Sequence, residues 1–165
     1  MKKFLLEIKD YVIIIVAVVL IRSFIMTPAV VEGSSMDNTL NDGQVIIINK
    51  INYRISDPKR FQIVVVKNSE EDDKIIKRII GLPGETIEYI DNKLYINGNY
   101  VEEKYNHGIT NDFKTTTSDN EYFVMGDNRE VSKDSRMLGN FKKEELVGRV
   151  KIRLYPFDKI GRIEK

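Results

Sequence analysis

The feature that most constrains this chain is an unbroken apolar run near its N-terminus, YVIIIVAVVLI at residues 11–21. Ile25 and Met26 continue it beyond Arg22. A helix needs about 17–25 residues to cross the hydrocarbon core of a bilayer. The extended run reaches that length if the basic residues at its ends point towards opposite interfaces. We therefore expect a single transmembrane anchor over residues 11–27.

The charges around this run predict its orientation. Lys2, Lys3 and Lys9 all precede it, and positively charged flanks tend to stay on the cytoplasmic side of a membrane. We expect residues 1–10 to form a cytoplasmic tail and residues 28–165 to form a domain on the outer face of the plasma membrane. The lipid bilayer is then one partner of the chain.

Two other structures are compatible with the same run. A cleaved secretory signal peptide also has a basic start and an apolar stretch of this length. Its one candidate cleavage site, around Thr27, Pro28 and Ala29, follows large apolar residues without a polar spacer. A helix buried in a globular core is the second alternative, which the all-round hydrophobicity and the terminal position disfavour.

The rest of the chain has the pattern of a mostly β protein. Short runs rich in Val, Ile and Tyr alternate with Gly, Asn and Asp, which is typical of strands joined by turns. The predicted strands are 44–49, 61–67, 75–80, 86–90, 93–96, 99–101, 121–125 and 146–155, with a short helix at 142–146. Asn97-Gly98 is the strongest hairpin signal, since both central residues of a type I′ turn need positive φ. We expect an antiparallel sheet domain with a small hairpin cap at 86–120, of which 102–120 is a polar loop.

Composition excludes several classes of function. Lysine and arginine number 26 against 25 acidic residues, a net charge of +1, so nucleic acid is a poor candidate partner. There is no cysteine and one histidine, His107, in a polar stretch beside a glycine. Thiol catalysis and a cysteine-ligated metal are thus excluded, and a serine–histidine triad is disfavoured. We expect neither a cofactor nor a metal.

Three segments carry candidate chemistry. EGSSMDNTL at 32–40 is a small-residue turn with two serines, and KIIKRIIGLPGE at 74–85 contains a predicted strand. Strand alternation puts Lys77 on a face of isoleucines, where burial would lower the pKa of its amine. The strand pattern alone favours a surface or snorkelling lysine instead, because Lys74 and Arg78 flank it. GDNREVSKDSR at 126–136 is either a solvated turn with an Asp–Arg pair or part of a site.

In this order, after an N-terminal anchor, the three segments resemble the conserved boxes of type I signal peptidases, in particular the compact Gram-positive members. The resemblance extends to YPF at 155–157 and implies a membrane-anchored serine endopeptidase that removes signal peptides from exported preproteins. It implies that Ser35 is the nucleophile and Lys77 its general base. It also implies that Ser132 hydrogen-bonds to the lysine amine, while Asp134 and Arg136 form a supporting ion pair.

The resemblance also assigns the substrate contacts. Small substrate side chains would enter a shallow apolar pocket lined by Val31, Met36, Leu40 and Ile76. The Ser35 N–H would stabilise the oxyanion. Many relatives have a second donor, a serine, where this chain has Gly33.

Two departures from the family pattern leave the precise role open. Asn38 stands where proline is usual, and Arg60-Phe61-Gln62 replaces an arginine-glycine-aspartate sequence. Loss of the proline would loosen the turn after the nucleophile, so a peptidase specialised for pilin-like proteins is one alternative. A non-catalytic membrane-anchored assembly factor for surface proteins is another, disfavoured because Ser35 and Lys77 are both retained.

Overall fold

The computed structural model describes residues 2–20, 25–51, 53, 56–68, 73–105 and 107–163. The helices are α1 (Lys2–Leu20) and α2 (Ser135–Leu138), with 3-10 turns at Lys143–Glu145 and Phe157–Lys159. The strands are β1 (Met26–Val30), β2 (Val45–Asn49), β3 (Ile63–Asn68), β4 (Asp73–Gly81), β5 (Thr86–Ile90), β6 (Lys93–Ile96), β7 (Asn99–Val101), β8 (Phe113–Thr116), β9 (Glu121–Met125), β10 (Phe141–Lys142), β11 (Leu146–Tyr155) and β12 (Gly161–Arg162).

The strands form two antiparallel sheets. The larger sheet has the order β1-β2-β11-β3-β4-β9-β10, with β12 paired to β11. The smaller has the order β7-β6-β5-β8 and lies within the range predicted for the cap. The mostly β antiparallel class is therefore as predicted. β4 lies inside the larger sheet, with β3 on one side and β9 on the other.

Turn signals in the sequence located most strands well. β5, β6, β7, β9 and β11 have the predicted bounds. Turn residues follow three of them: Asp91-Asn92 after β5, Asn97-Gly98 after β6 and Gly126 after β9. At the predicted hairpin turn, φ is 51° for Asn97 and 80° for Gly98. The helix expected at 142–146 is a single 3-10 turn at Lys143–Glu145.

Four strands were not predicted. β8 lies inside the segment expected to be a polar loop, and it pairs with β5 through threonines and a lysine that carry little hydrophobic signal. β1 contains Pro28, which is tolerated because β1 is an edge strand. β10 and β12 are two-residue strands that tertiary pairing alone defines.

The N-terminal helix differs from the predicted anchor in its bounds. α1 begins within the expected cytoplasmic tail, and β1 already includes the last two residues of the range 11–27. Residues 21–24 lie outside the described part of the chain. Among the described residues, no helix combines the length and the apolar character that a membrane span needs. The apolar residues from Tyr11 to Val16 are all at least half exposed.

Three apolar clusters form the core. The first lies under the turn between β1 and β2 and includes Met36, Leu40 and Ile63. The second packs β3, β4 and β9 against Leu146. The third joins the two sheets through Ile87 and its neighbours. β4 contributes to all three clusters, and its residues from Lys77 to Gly81 are buried among packed side chains.

Candidate active site

The turn between β1 and β2 presents Ser35. Its ends are tied where the Val31 N–H donates to the Gln44 carbonyl oxygen at 2.8 Å. Gly33 has φ of +81°, a conformation that glycine adopts without penalty. The Gly33 N–H donates to Asp42 Oδ1 at 2.7 Å, so this N–H is engaged in fixing the turn rather than free to receive an oxyanion.

Lys77 lies in the middle of β4 and is 2% exposed. Its Nζ is 2.7 Å from Ser35 Oγ and donates to the Ile76 carbonyl oxygen at 3.1 Å. Across the sheet its neighbour in register is Val64, which is fully buried. The alternative of a surface lysine is therefore wrong. The basic neighbours Lys74 and Arg78 suggested an exposed strand, but packed side chains cover the strand at Lys77.

Burial changes the acid–base properties of this amine. Removal from water lowers the pKa of Lys77 to about 8, against an opposing effect of the Asp134 carboxylate. The ordinary value for lysine is about 10.4. At pH 7 roughly a tenth of the amines would then be neutral, compared with fewer than about one in a thousand at the ordinary pKa. The structure thus places a usable base within hydrogen-bonding distance of the serine hydroxyl.

The segment 126–136 is more than a solvated turn: its polar residues Asp127, Arg129, Ser132 and Asp134 are buried, while Glu130, Val131 and Lys133 are exposed. Asp134 is fully buried and forms the expected ion pair with Arg136, with 2.8 Å between Arg136 Nη2 and Asp134 Oδ2. Asp134 also caps α2 by accepting the Arg136 N–H, and its Oδ2 accepts the Gly126 N–H at 3.0 Å. This carboxylate therefore organises both ends of the segment.

Ser132 is close to the site but lacks the expected hydrogen bond. Its Oγ is buried and has no hydrogen-bond partner among the described residues. The amine of Lys77 is directed instead to Ser35 and to a backbone carbonyl. A Cβ added to Gly126 would lie 2.3 Å from Ser132 Oγ and 2.4 Å from the Ser35 carbonyl oxygen. Glycine at 126 therefore permits the close approach of these two serines.

An ion pair that the sequence analysis did not assign connects the three segments. Arg78 Nε and Nη2 donate to the two oxygens of Asp127 at 2.8 and 2.6 Å, and both side chains are buried. The Thr39 hydroxyl donates to the same carboxylate, and Arg78 Nη1 donates to the Phe61 carbonyl oxygen at 2.8 Å. Strand alternation places Arg78 on the opposite face of β4 from Lys77. This position is the sequence signal that Arg78 would have a partner of its own.

Asn128 also contacts the turn of Ser35, a contact that the sequence analysis did not assign. Its backbone N–H donates to the Ser35 carbonyl oxygen at 3.1 Å, and its Nδ2 donates to the Ser34 carbonyl oxygen at 3.1 Å. Asn128 therefore forms hydrogen bonds with two successive peptide groups, those of Ser34 and Ser35. This contact fixes the direction of the Ser35 side chain relative to Lys77.

A groove of about 290 Å³ runs beside Ser35 and Lys77. Of the four residues expected to line a substrate pocket, Val31, Met36 and Ile76 border it. Leu40 does not border this groove. It is fully buried in the first core cluster, where it supports Met36 from below. The groove is open, and it combines apolar side chains, among them Val31, Met36 and Ile76, with the charged Asp73 and Lys74.

The two departures from the family pattern have structural explanations. Asn38 has φ of +84°, which asparagine tolerates and proline, with φ near −65°, does not. Arg60 makes a two-point ion pair with Glu85, at 2.9 and 2.5 Å. Gln62 Oε1 accepts the Tyr53 hydroxyl at 3.2 Å. These side chains serve local packing.

His107 belongs to a different network. Its Nε2 is 3.5 Å from Glu103 Oε2, and Glu103 in turn pairs with the buried Arg129 at 2.6 Å. The serine hydroxyl is partnered by Lys77. His107 thus belongs to the attachment of the loop after β7.

Comparison with known proteins identifies the family. The family described as signal peptidase, peptidase S26, matches residues 5–155. The chain is 43% identical to a signal peptidase I of Bacillus amyloliquefaciens, over 92% of this chain and 88% of that protein. It is 37% identical to signal peptidase IB of Staphylococcus aureus, over 95% and 93%. A crystal structure of a signal peptidase I from Enterococcus faecalis matches with a TM-score of 0.53 and 37% identity, over 57% of this chain and 97% of that one.

The lowered pKa of Lys77 predicts the pH dependence of activity. A general base must be neutral, and Lys77 becomes neutral as the pH rises through its pKa of about 8. We expect kcat/KM to rise with pH to a plateau above that value. Lys77→Arg should be inactive at every pH, because a guanidinium stays protonated. The matched control, Lys67→Arg at an exposed position of β3, should keep the wild-type profile. A flat profile between about pH 6 and 9 would contradict the assignment.

The hydrogen bonds of Asn128 to the turn of Ser35 predict that a substitution of Asn128 lowers the rate of cleavage with little loss of stability. Asn128→Ala removes the side-chain hydrogen bond to Ser34 but leaves the backbone bond to Ser35. We expect kcat to fall about 10- to 100-fold, with KM nearly unchanged, because a small misplacement of a nucleophile is costly. Asn120→Ala is the control, since it removes an exposed amide that bonds to Glu144. Steady-state kinetics decide, and equal activities of the two variants would remove Asn128 from the mechanism.

Proposed function

The chain belongs to the signal peptidase family, peptidase S26, and we propose that it removes N-terminal signal peptides from exported preproteins with Ser35 as nucleophile and Lys77 as base. It is a serine peptidase by this membership. The observation that carries the assignment of residues is the 2.7 Å distance between Ser35 Oγ and Lys77 Nζ beside a partly apolar groove. The apolar side chains that line the groove match peptides with small apolar side chains.

The reaction proceeds in two acyl-transfer steps. Neutral Lys77 accepts the Ser35 hydroxyl proton while Oγ attacks the scissile carbonyl carbon. The Ser35 N–H stabilises the oxyanion. The ammonium group of Lys77 then gives its proton to the leaving amine, and the signal peptide remains as an ester on Ser35. Water, deprotonated by Lys77, hydrolyses this ester and restores both residues.

The surrounding residues support this cycle without taking part in bond changes. Asp127 cannot easily act as the base, since both of its oxygens accept hydrogen bonds from Arg78. Asp134 is likewise engaged by Arg136. With both carboxylates committed to arginines, the lysine amine is the base best placed for Ser35. This favours a peptidase over a non-catalytic assembly factor.

Membrane attachment is part of the proposal. The helix α1 carries apolar side chains that are at least half exposed from Tyr11 to Val16, and such side chains need an apolar environment. A second exposed apolar surface lies at the sheet edge near the groove, where Val30 and Tyr155 both pair with Val45 and Phe157 is 78% exposed. We place the apolar part of α1, from residue 11 onward, in the plasma membrane, with residues 1–10 on the cytoplasmic side and the sheet edge against the outer leaflet.

Cleavage of a preprotein tests the function. Detergent-solubilised full-length protein should convert a preprotein with a small residue before the cleavage site into its mature form, as followed by mass spectrometry. Ser35→Ala should lose at least about 10³-fold in rate, because the nucleophile is removed. Ser34→Ala should stay active. An inactive Ser34→Ala beside an active Ser35→Ala would mean that the nucleophile is assigned to the wrong serine.

The topology has a separate test. Protease added to intact spheroplasts should digest the domain 28–165 and leave the N-terminal segment protected. The mature protein should retain its own N-terminus by mass spectrometry. A mature chain that starts near Val30 would show that α1 is a cleaved signal peptide. Protection of the whole domain would show the opposite orientation.

A further inference from the structure

A second and larger cleft, separate from the peptide groove, is lined by basic residues. Its volume is about 970 Å³, and it is bordered by the segment before β3, by β11 and β12, and by the loop after β7. Eight of its lining residues are lysine or arginine and one, Glu102, is acidic. The whole chain has a net charge of +1. The concentration of positive charge in this cleft is therefore local.

Part of this charge is not neutralised by the protein. Three of the eight basic residues form ion pairs, Arg60 with Glu85, Arg78 with Asp127 and Lys104 with Glu102. Four others, Lys59, Arg153, Lys159 and Arg162, have no carboxylate within ion-pair distance in the described part of the chain. Like charges at close range repel, and a bound anion would relieve that repulsion.

The geometry favours an oxyanion such as a phosphate. Arg153 is held in place, because its Nε donates to the Lys159 carbonyl oxygen at 2.9 Å and its Nη1 donates to Gln44 Oε1 at 3.2 Å. These two bonds occupy two of its five N–H groups, so the others remain for a ligand. Guanidinium groups pair with phosphate oxygens at two points. Lys159 and Arg162 are exposed beside it and add charge.

The same segment also carries an apolar rim. Tyr155, Phe157 and Ile160 are between 48% and 78% exposed, and they lie in the chain between Arg153 and Arg162. The rings of Tyr155 and Phe157 pack edge to face with centroids 5.5 Å apart. A basic, anion-binding cleft next to exposed aromatic and aliphatic side chains matches a ligand that has an anionic head and an apolar tail.

We propose that this cleft binds the phosphate group of an anionic phospholipid headgroup, with the acyl chains passing over the rim of Tyr155, Phe157 and Ile160. The inference rests on the proposed membrane attachment. A headgroup bound here would fix how the domain sits on the bilayer, since β11 lies next to β2, and β1 and β2 flank the Ser35 turn. The mouth of the peptide groove would then face the membrane at a constant angle.

Binding of a short-chain lipid tests the proposal. Full-length protein in a nonionic detergent is titrated with dihexanoylphosphatidylglycerol, and binding is measured by calorimetry. Dihexanoylphosphatidylcholine and inorganic phosphate are titrated in parallel, to separate an anionic lipid from a neutral lipid and from a free anion. We expect saturable binding of phosphatidylglycerol, and binding of the other two at least about tenfold weaker.

Matched variants locate the site. Lys159→Gln with Arg162→Gln removes two exposed charges from the cleft and should weaken phosphatidylglycerol binding roughly tenfold or more. Lys93→Gln with Lys114→Gln removes two exposed charges from the smaller sheet and should leave binding unchanged. Equal binding by both double variants, or phosphate binding as tight as phosphatidylglycerol, would overturn the proposal. Preprotein cleavage is measured in the same samples. Cleavage without lipid binding contradicts this inference alone, and absence of cleavage contradicts the proposed function.

Discussion

The bidentate ion pair between Arg78 and Asp127 is the contact on which the arrangement of the site depends. It joins the strand of Lys77 to the loop after β9, and Thr39 attaches the turn of Ser35 to the same carboxylate. A buried ion pair is weak evidence for stability, because desolvation offsets most of the attraction. Its effect here is geometric. Three segments distant in sequence are held so that an amine lies 2.7 Å from a hydroxyl, and loss of either partner would leave a buried charge at a cost of about 3–5 kcal/mol.

The cations around this pair fall into two kinds. Arg129 and Arg136 each contact a carboxylate, Glu103 and Asp134. Lys77 has no ion-pair partner in the part of the chain that is described, and burial lowers its pKa to about 8. The difference follows from chemistry. A guanidinium stays charged in a protein interior and must be neutralised, whereas a lysine can release its proton. The lowered pKa corresponds to about 3 kcal/mol of preference for the neutral amine, which the packed strand around it supplies.

The sequence allowed prediction of the strands that end at clear turn residues and of the segments that converge at the site. It could not establish that Lys77 is buried, because its charged neighbours are those of an exposed strand and only the tertiary covering decides. The ion pair of Arg78 and the hydrogen bonds of Asn128 join segments that are distant in sequence, and the spacing of residues along the chain does not encode such contacts. Ser132 lies beside the site without the hydrogen bond that the resemblance implied. Leu40 has the apolar character of a pocket residue, but it supports the groove from the core.

The central claim is that a buried, neutral Lys77 accepts the proton of Ser35. A direct measurement is the pKa of that amine, by nuclear magnetic resonance titration of the full-length protein with labelled lysines and with Lys77→Arg to assign the signal. The account predicts a midpoint near 8 for Lys77, well below the value of about 10.4 for an unperturbed lysine. A Lys77 midpoint at 10 or above would contradict it, because the amine would then be an ammonium ion throughout the working pH range and could not act as a base.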